Sequence, residues 1–361
     1  MTGRRWARAA ALGAALGLLA AAAAAEDAPW LAGEPDPLRG PTLPFTAVEA
    51  SPVRDGAWRL LLTTSMWNHW KHSNEILAVH RSAWPERLPL TEADLAATEA
   101  RYAGRDLYWI DLEGSRTELV AIRGLPGGFS VSVRVPWLDH DSPASDGLVE
   151  RYHVITGLGR QARDLFPRGE AHVYVAGDRG RIASLSGLDG EGLGDVSVAV
   201  AAPLGSWLGG VQRGLLAVEA PTGDAGTLCG SGGWDVGARA FSTWSWRRVE
   251  LRLGAGYTRP SDSGTLLGAP RGELWHTALG FDAAIGARTR AVLTATYQRS
   301  PFASIAGGDI GQPALLLRYG LAHTTRRGVS LGLELGQDLR YGGVGVAPDS
   351  TLQLTLATSP R

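Results

Sequence analysis

Few residues in this 361-residue chain have the types and spacing that chemistry would need. Gly328, Ser330 and Gly332 fit the G-x-S-x-G pattern of a hydrolase nucleophile elbow, in which a sharp strand-to-helix turn exposes the serine oxygen. Here Val329, Leu331, Leu333 and Leu335 alternate with Ser330, Gly332 and Glu334, which predicts a plain strand with Ser330 on its polar face. Gly190, Gly192 and Gly194 precede an alternating segment and no helix, so they do not make a dinucleotide fingerprint. His69 and His72 beside Asn68 and Asn74, and Asp139, His140 and Asp141, are polar clusters without a complete ligand set at metal-binding spacing. Cys229 is the only cysteine, which rules out an intrachain disulfide, and it sits in a glycine-rich stretch with no basic partner that would activate a thiol. No catalytic residue, metal site or cofactor is therefore assigned. The enzyme alternative is an interfacial lipid hydrolase, but no serine can be placed from sequence beside the strand histidines His276 and His323.

The elements that carry these residues are more telling. From about residue 57 onward, segments of alternating apolar and polar or small residues recur, and period two gives each strand one greasy and one polar face. We place twelve strands at 57–70, 107–123, 128–137, 193–203, 212–221, 233–244, 247–259, 273–285, 289–300, 312–323, 328–339 and 349–358. Tight connections at 124–127, 204–211, 245–246, 286–288 and 324–327 alternate with longer ones, notably 71–106 and 138–192. Short turns on one side and long loops on the other are the habit of bacterial outer-membrane barrels, whose short turns face the periplasm. Thr91 can cap a helix over 90–102, a second helix is expected near 148–165, and a small hairpin at 171–176 and 181–186. An even number of spans puts both termini on one side, the periplasm.

Residues 1–25 combine Arg4, Arg5 and Arg8 with an Ala/Leu run closing on Ala23, Ala24 and Ala25, which reads as a secretory signal peptide cleaved near Ala25. Residues 26–56 form a proline-rich periplasmic segment, and 57–361 the barrel. No later stretch reaches the ~18 consecutive apolar residues of a membrane helix, so membrane insertion must use strands. Basic and acidic side chains balance at 35 against 36, which gives no reason to expect nucleic acid as a partner. The partners expected instead are outer-membrane lipid, lipopolysaccharide and an unidentified small solute.

Two faces follow. The polar one carries Arg134, Arg239, Arg252 and Arg318 beside Glu219, Asp235, Glu250, Asp282 and Glu334, the candidate lumen residues. Charge on a lipid face costs ~2–4 kcal/mol per Arg near the midplane, so this face must meet water or paired charge. Mixed signs predict weak ion selectivity. The face of Arg116 and Glu118 is ambiguous from parity alone. Aromatics gather toward strand ends, with Trp58, Trp137, Trp234, Trp244, Trp246, Tyr257 and Trp275 as the candidate interface girdle, and Trp67 and Trp70 nearby. The expectation is an all-β, transmembrane up-and-down barrel acting as a passive channel or small-solute uptake protein, with the 138–192 connection constricting or capping it. A structural or adhesive barrel binding through its outer loops, and a soluble exported β-sandwich or barrel, are the other classes considered.

The middle of the chain adds a resemblance. Arg163, Asp164, Leu165, Phe166, Pro167 and Arg168; Gly192 to Asp195 followed by a strand; Ala220, Pro221, Thr222, Gly223 and Asp224; and the glycine-rich run from Gly230 to Gly237 occur in that order. In this the chain resembles the bacterial family known as domain of unknown function 3187, most specifically over residues 124–237. The resemblance implies an outer-membrane barrel and brings no activity or site residues with it.

Overall fold

The computed structural model describes Leu38, Glu49 and residues 51–83, 87–140, 147, 149–151, 154–155, 162–168, 171–177, 180–186, 190–261, 265–266, 269–270, 272–301, 311–339, 348 and 350–358. The signal peptide expected at 1–25, most of the 26–56 segment and much of the helix expected near 148–165 lie outside these residues.

In chain order the elements are β1 (Trp58–His72), α1 (Asn74–Ala83), α2 (Glu92–Arg101), β2 (Leu107–Leu125), β3 (Phe129–Asp139), β4 (His172–Gly177), β5 (Gly180–Ser186), β6 (Glu191–Leu193), β7 (Val196–Trp207) and β8 (Gly210–Ala220). They continue with β9 (Asp235–Trp246), β10 (Val249–Pro260), β11 (Thr265–Leu266), β12 (Ala269–Pro270), β13 (Leu274–Ala284), β14 (Thr289–Gln298), β15 (Ala314–Thr324), β16 (Val329–Asp338) and β17 (Ser350–Thr358). Three-residue 3-10 turns lie at Pro126–Gly128, Arg163–Leu165 and Ala225–Thr227. Fifteen strands share one sheet; setting aside the short outer pieces β4, β5 and β6 leaves twelve, all antiparallel to their neighbours. β1 pairs with β2 on one side and with β17 on the other, while β2 also pairs with β3, so the sheet closes into a barrel. Closure satisfies every edge, which a strand in hydrocarbon requires because no water is there to do so.

The alternation has an unusual sense. Along β16, Leu331, Leu333 and Leu335 are exposed while Ser330, Gly332 and Glu334 are buried. Val198 and Val200 on β7, Leu216 and Val218 on β8, and Leu279 and Phe281 on β13 are likewise exposed opposite buried polar or small residues. A barrel in water would present the reverse, since apolar area taken out of water is the main stabilising term. Greasy outside and polar inside is the arrangement of a barrel in a bilayer.

One turn is tighter, and one falls later, than the alternation suggested. β7 continues to Trp207 and β8 begins at Gly210, so the turn is Leu208 and Gly209; likewise Arg247 and Arg248 join β9 to β10. The backbone explains this, because Leu208 (φ 51), Gly209 (φ 76) and Arg247 (φ 43) take the left-handed region that two-residue hairpins need. Ladder pairing thus outlasts the apolar pattern at this end.

β1 and β2 rise together past the end of β17, their pairing reaching His72 opposite Trp109. On this extension β4 adds to β2, β5 to β4, and α1 and α2 pack against it. Trp70, Ile76, Leu77, Leu95, Leu107, Trp109, Phe166 and Tyr174 form its core. Trp70 is therefore buried, as is Trp67, and neither joins the exposed aromatics at the rim. α2 begins at a capping box in which the Thr91 hydroxyl accepts from the Asp94 amide and the Asp94 carboxylate accepts from the Thr91 amide. α1 was not anticipated, although it falls in the same long connection as α2.

Candidate functional site: the inner wall

Inward-pointing side chains of twelve strands line the interior, and charge is concentrated on the β2, β3, β7, β8 and β9 sector. Register sets Val120, Arg134, Ser197, Glu219 and Asp235 side by side across these strands. Arg134 donates from Nη1 to Glu118 Oε2 at 2.6 Å, and Glu118 is also paired with Arg116 Nε. Parity left Arg116 and Glu118 unassigned; both are buried in this inner cluster. Arg239 lies within electrostatic reach of Arg134 and Glu219.

A second cluster sits nearer the short turns. Asp282 accepts from Arg290 Nε at 2.5 Å and faces Arg252 Nη2 at 3.7 Å, and Arg252 also pairs with Glu250. Arg290 was not singled out from sequence, because only cross-strand register brings it to Asp282. Glu334 stands one ladder step from Arg318 and feels its charge. Of the nine residues picked on parity, Arg134, Glu219, Asp235, Arg239, Arg252, Asp282, Arg318 and Glu334 are buried, and Glu250 is partly exposed.

One interior carboxylate belongs to no strand. Glu49, from the proline-rich segment expected outside the barrel, is buried and accepts from Ser132 Oγ at 3.4 Å, with Arg134 Nη2 at 3.4 Å. Nothing in its local sequence marks it, since its partners lie some eighty residues on. Between the charged clusters the wall turns small and apolar, with Ala199, Ala201, Leu215, Ala217, Phe241 and Ala278 in one cluster.

The long-loop end is closed on one side by the connection after β8. Asp195 holds it, accepting from the Gly223 amide at 2.8 Å and from the Ser231 amide at 2.6 Å. This brings Cys229 against Trp67 and Leu138, and the ring of His140 to 6.0 Å from that of Trp67. Burial pushes the Cys229 thiol up, away from the reactive thiolate. Burial likewise holds His140 below the ordinary imidazole range, against the opposing pull of the Leu228 carbonyl and Asp139. Farther out, Arg163 donates to Asn68 Oδ1 at 2.5 Å and its guanidinium lies 4.8 Å from the Trp70 ring centre, while hydrogen bonds from Arg168 first and Arg87 second hold the Glu150 carboxyl below its usual range against the cost of burial.

Of the girdle candidates, Trp58, Trp137, Trp234, Trp246, Tyr257 and Trp275 are exposed on the barrel exterior. Trp244 lies lower against the wall: its Nε1 donates to the Leu208 carbonyl at 3.2 Å, and its ring fills the space a Cβ on Gly210 would need. Ser330 is buried and shares a 2.8 Å hydrogen bond with Thr324 Oγ1, whereas His323 is exposed on the opposite face and bonded to Thr289. The two cannot meet as nucleophile and base in this arrangement. Among the described residues no group of His, Cys, Asp or Glu is clustered to hold a metal.

Closed antiparallel strands, apolar outer wall and charged inner wall define a twelve-stranded β-barrel of the outer-membrane type. The chain is similar in fold to an outer membrane channel from Pseudomonas putida F1, at 12% identity and a TM-score of 0.50, over 86% of this chain and 97% of that one. The NanC porin is a more distant match, at 9% identity and a TM-score of 0.42, over 83% of this chain and 99% of that one. No family model matches the sequence, and no curated protein matches it.

Proposed function

We propose that this chain is an outer-membrane channel for small solutes, with both termini in the periplasm and residues 1–25 removed on export. The observation that carries the reading is that the interior has room for more than its own wall: Glu49 and Val53, which belong to no strand, lie among inward-facing residues of β1, β2, β3 and β17. Eight strands already give an interior that side chains can fill, and width grows with strand number, so twelve leave space to be occupied or emptied. Membership of the family of domain of unknown function 3187 is part of this proposal and rests on the motifs between residues 163 and 237.

The lipid-facing belt would include Trp58, Trp137, Trp246, Tyr257 and Trp275, and the nine parity-picked charges would line the path. Single-channel recording on the purified, folded protein tests the reading. A folded barrel that carries no current, and gains none either on deletion of residues 140–190 or on Glu49→Gln, would sink it. The tight pairing of Glu118 with Arg116 and Arg134 favours the second reading, a non-transporting barrel that binds a partner through its outer loops. Under that reading the same recordings stay silent.

A further inference from the structure

The segment before β1 is fastened inside the barrel along a definite route. At the short-turn end the Gly124 amide donates to the Ala57 carbonyl at 2.9 Å, the Gly56 amide donates back to the Gly124 carbonyl at 2.9 Å, and Asp55 forms a bridge with Gly124. A Cβ on Gly124 would fall 2.1 Å from the Arg54 carbonyl oxygen, so glycine is what admits the strap at this point. Val53 packs against Leu61, Val120, Ile122 and Ala357, and Arg59 Nη2 donates to the Pro52 carbonyl at 3.1 Å. Glu49 then reaches Ser132 and Arg134, one ladder step apart on β3 and paired with Ile122 and Val120 on β2.

The place where Glu49 ends has the chemistry of a carboxylate seat. A guanidinium and a hydroxyl converge on its two oxygens, with Arg239 in electrostatic reach. The contacts are at the long end of hydrogen-bond distance, which suits an exchangeable ligand. Beside the seat the wall is apolar: Ala199 is the ladder partner of Ser132, and Leu215 that of Arg239. One ladder step toward the short turns from Leu215 stands Arg213, 7% exposed, with its Nε and Nη2 lacking a hydrogen-bond partner among the described residues. A buried cation without a partner is costly, and an anion passing along this wall would relieve it.

We propose that Glu49 stands in for the carboxylate of a small solute with an apolar body, so that the strap formed by Glu49 and residues 51–57 is a plug which such a solute displaces. The solute takes the Arg134 and Ser132 seat, its tail lies on the Ala199, Ala201 and Leu215 wall, and Glu49 leaves. This rests on the channel reading above and deepens it by naming the solute class.

The test uses the full chain in liposomes, with Cys229→Ser and Ser51→Cys carrying a nitroxide, and sodium octanoate as the probe. Octanoate should raise the label's accessibility to an aqueous relaxation agent several-fold, and octyltrimethylammonium should not. Adding Glu49→Gln should give the high accessibility without octanoate. No change under any of these conditions overturns the plug, and an equal response to both amphiphiles overturns the carboxylate seat. Current recorded on the same samples separates the two readings: a rise in accessibility without current supports displacement and sinks the channel, whereas current that ignores both octanoate and Glu49→Gln keeps the channel and overturns the plug.

Discussion

At the scale of single residues, the inner wall depends on partners far apart in sequence. Glu118 lies between Arg116 and Arg134, all three buried. Removing one member of such a set leaves uncompensated buried charge, which costs about 3–5 kcal/mol. Glu118→Gln should therefore lower the denaturant midpoint in micelles markedly, and a variant that also replaces Arg134 with Met should recover part of the loss. His140 gives a pH prediction. Its folded pKa is held below the ordinary 6.5 by burial, so above that pH neither state is protonated and stability is full. As pH falls below about 6.5 the unfolded state takes up the proton first, and stability drains until the folded pKa is passed. Hydrogen exchange in residues 221–233, which pack beside His140, should quicken over that window, and His140→Gln should flatten the response. Parity found the eight buried charges named above because each sits on a regular strand. It missed Glu49, Arg290 and Asp195, whose roles come from contacts that no local pattern encodes.

At the scale of elements, each strand is a ladder with two unlike sides, and a substitution is read by the side it falls on. Leu333 points outward at the middle of β16, with buried Gly332 and Glu334 on either side. Leu333→Arg should cost ~2–4 kcal/mol in a bilayer, measured as folding into liposomes, if that face meets hydrocarbon. A loss near zero would show that the face meets water. Strand existence and the tight-long order of connections were legible because period two and turn residues are local signals. Strand ends were less so. β7, β8 and β9 run past the point where alternation fades, since pairing continues until Leu208, Gly209 and Arg247 turn the backbone, and β10 starts correspondingly later, at Val249. The 172–177 and 180–186 hairpin and the capped α2 were readable for the same local reason; α1 was not singled out, although Ser73 stands directly before it.

At the scale of the whole molecule, a path lined by both signs of charge should discriminate little between cations and anions. A tenfold KCl gradient should give a reversal potential near zero in the unplugged Glu49→Gln variant; a value approaching the Nernst limit of either ion would contradict this. The sequence by itself determined the alternating strands, their even number, the polar and greasy faces and the alternation of tight and long connections, because these follow from side-chain periodicity and backbone preferences a few residues long. Only the tertiary structure decided what those faces meet. Closure brings Lys71 to Asp338 at 3.3 Å and aligns Thr63 with Thr355. It also sets Trp67 and Trp70 inside instead of at the rim, and carries Glu49 into the barrel it precedes. Such meetings depend on the register of strands hundreds of residues apart, and register is a property of the closed sheet as a whole.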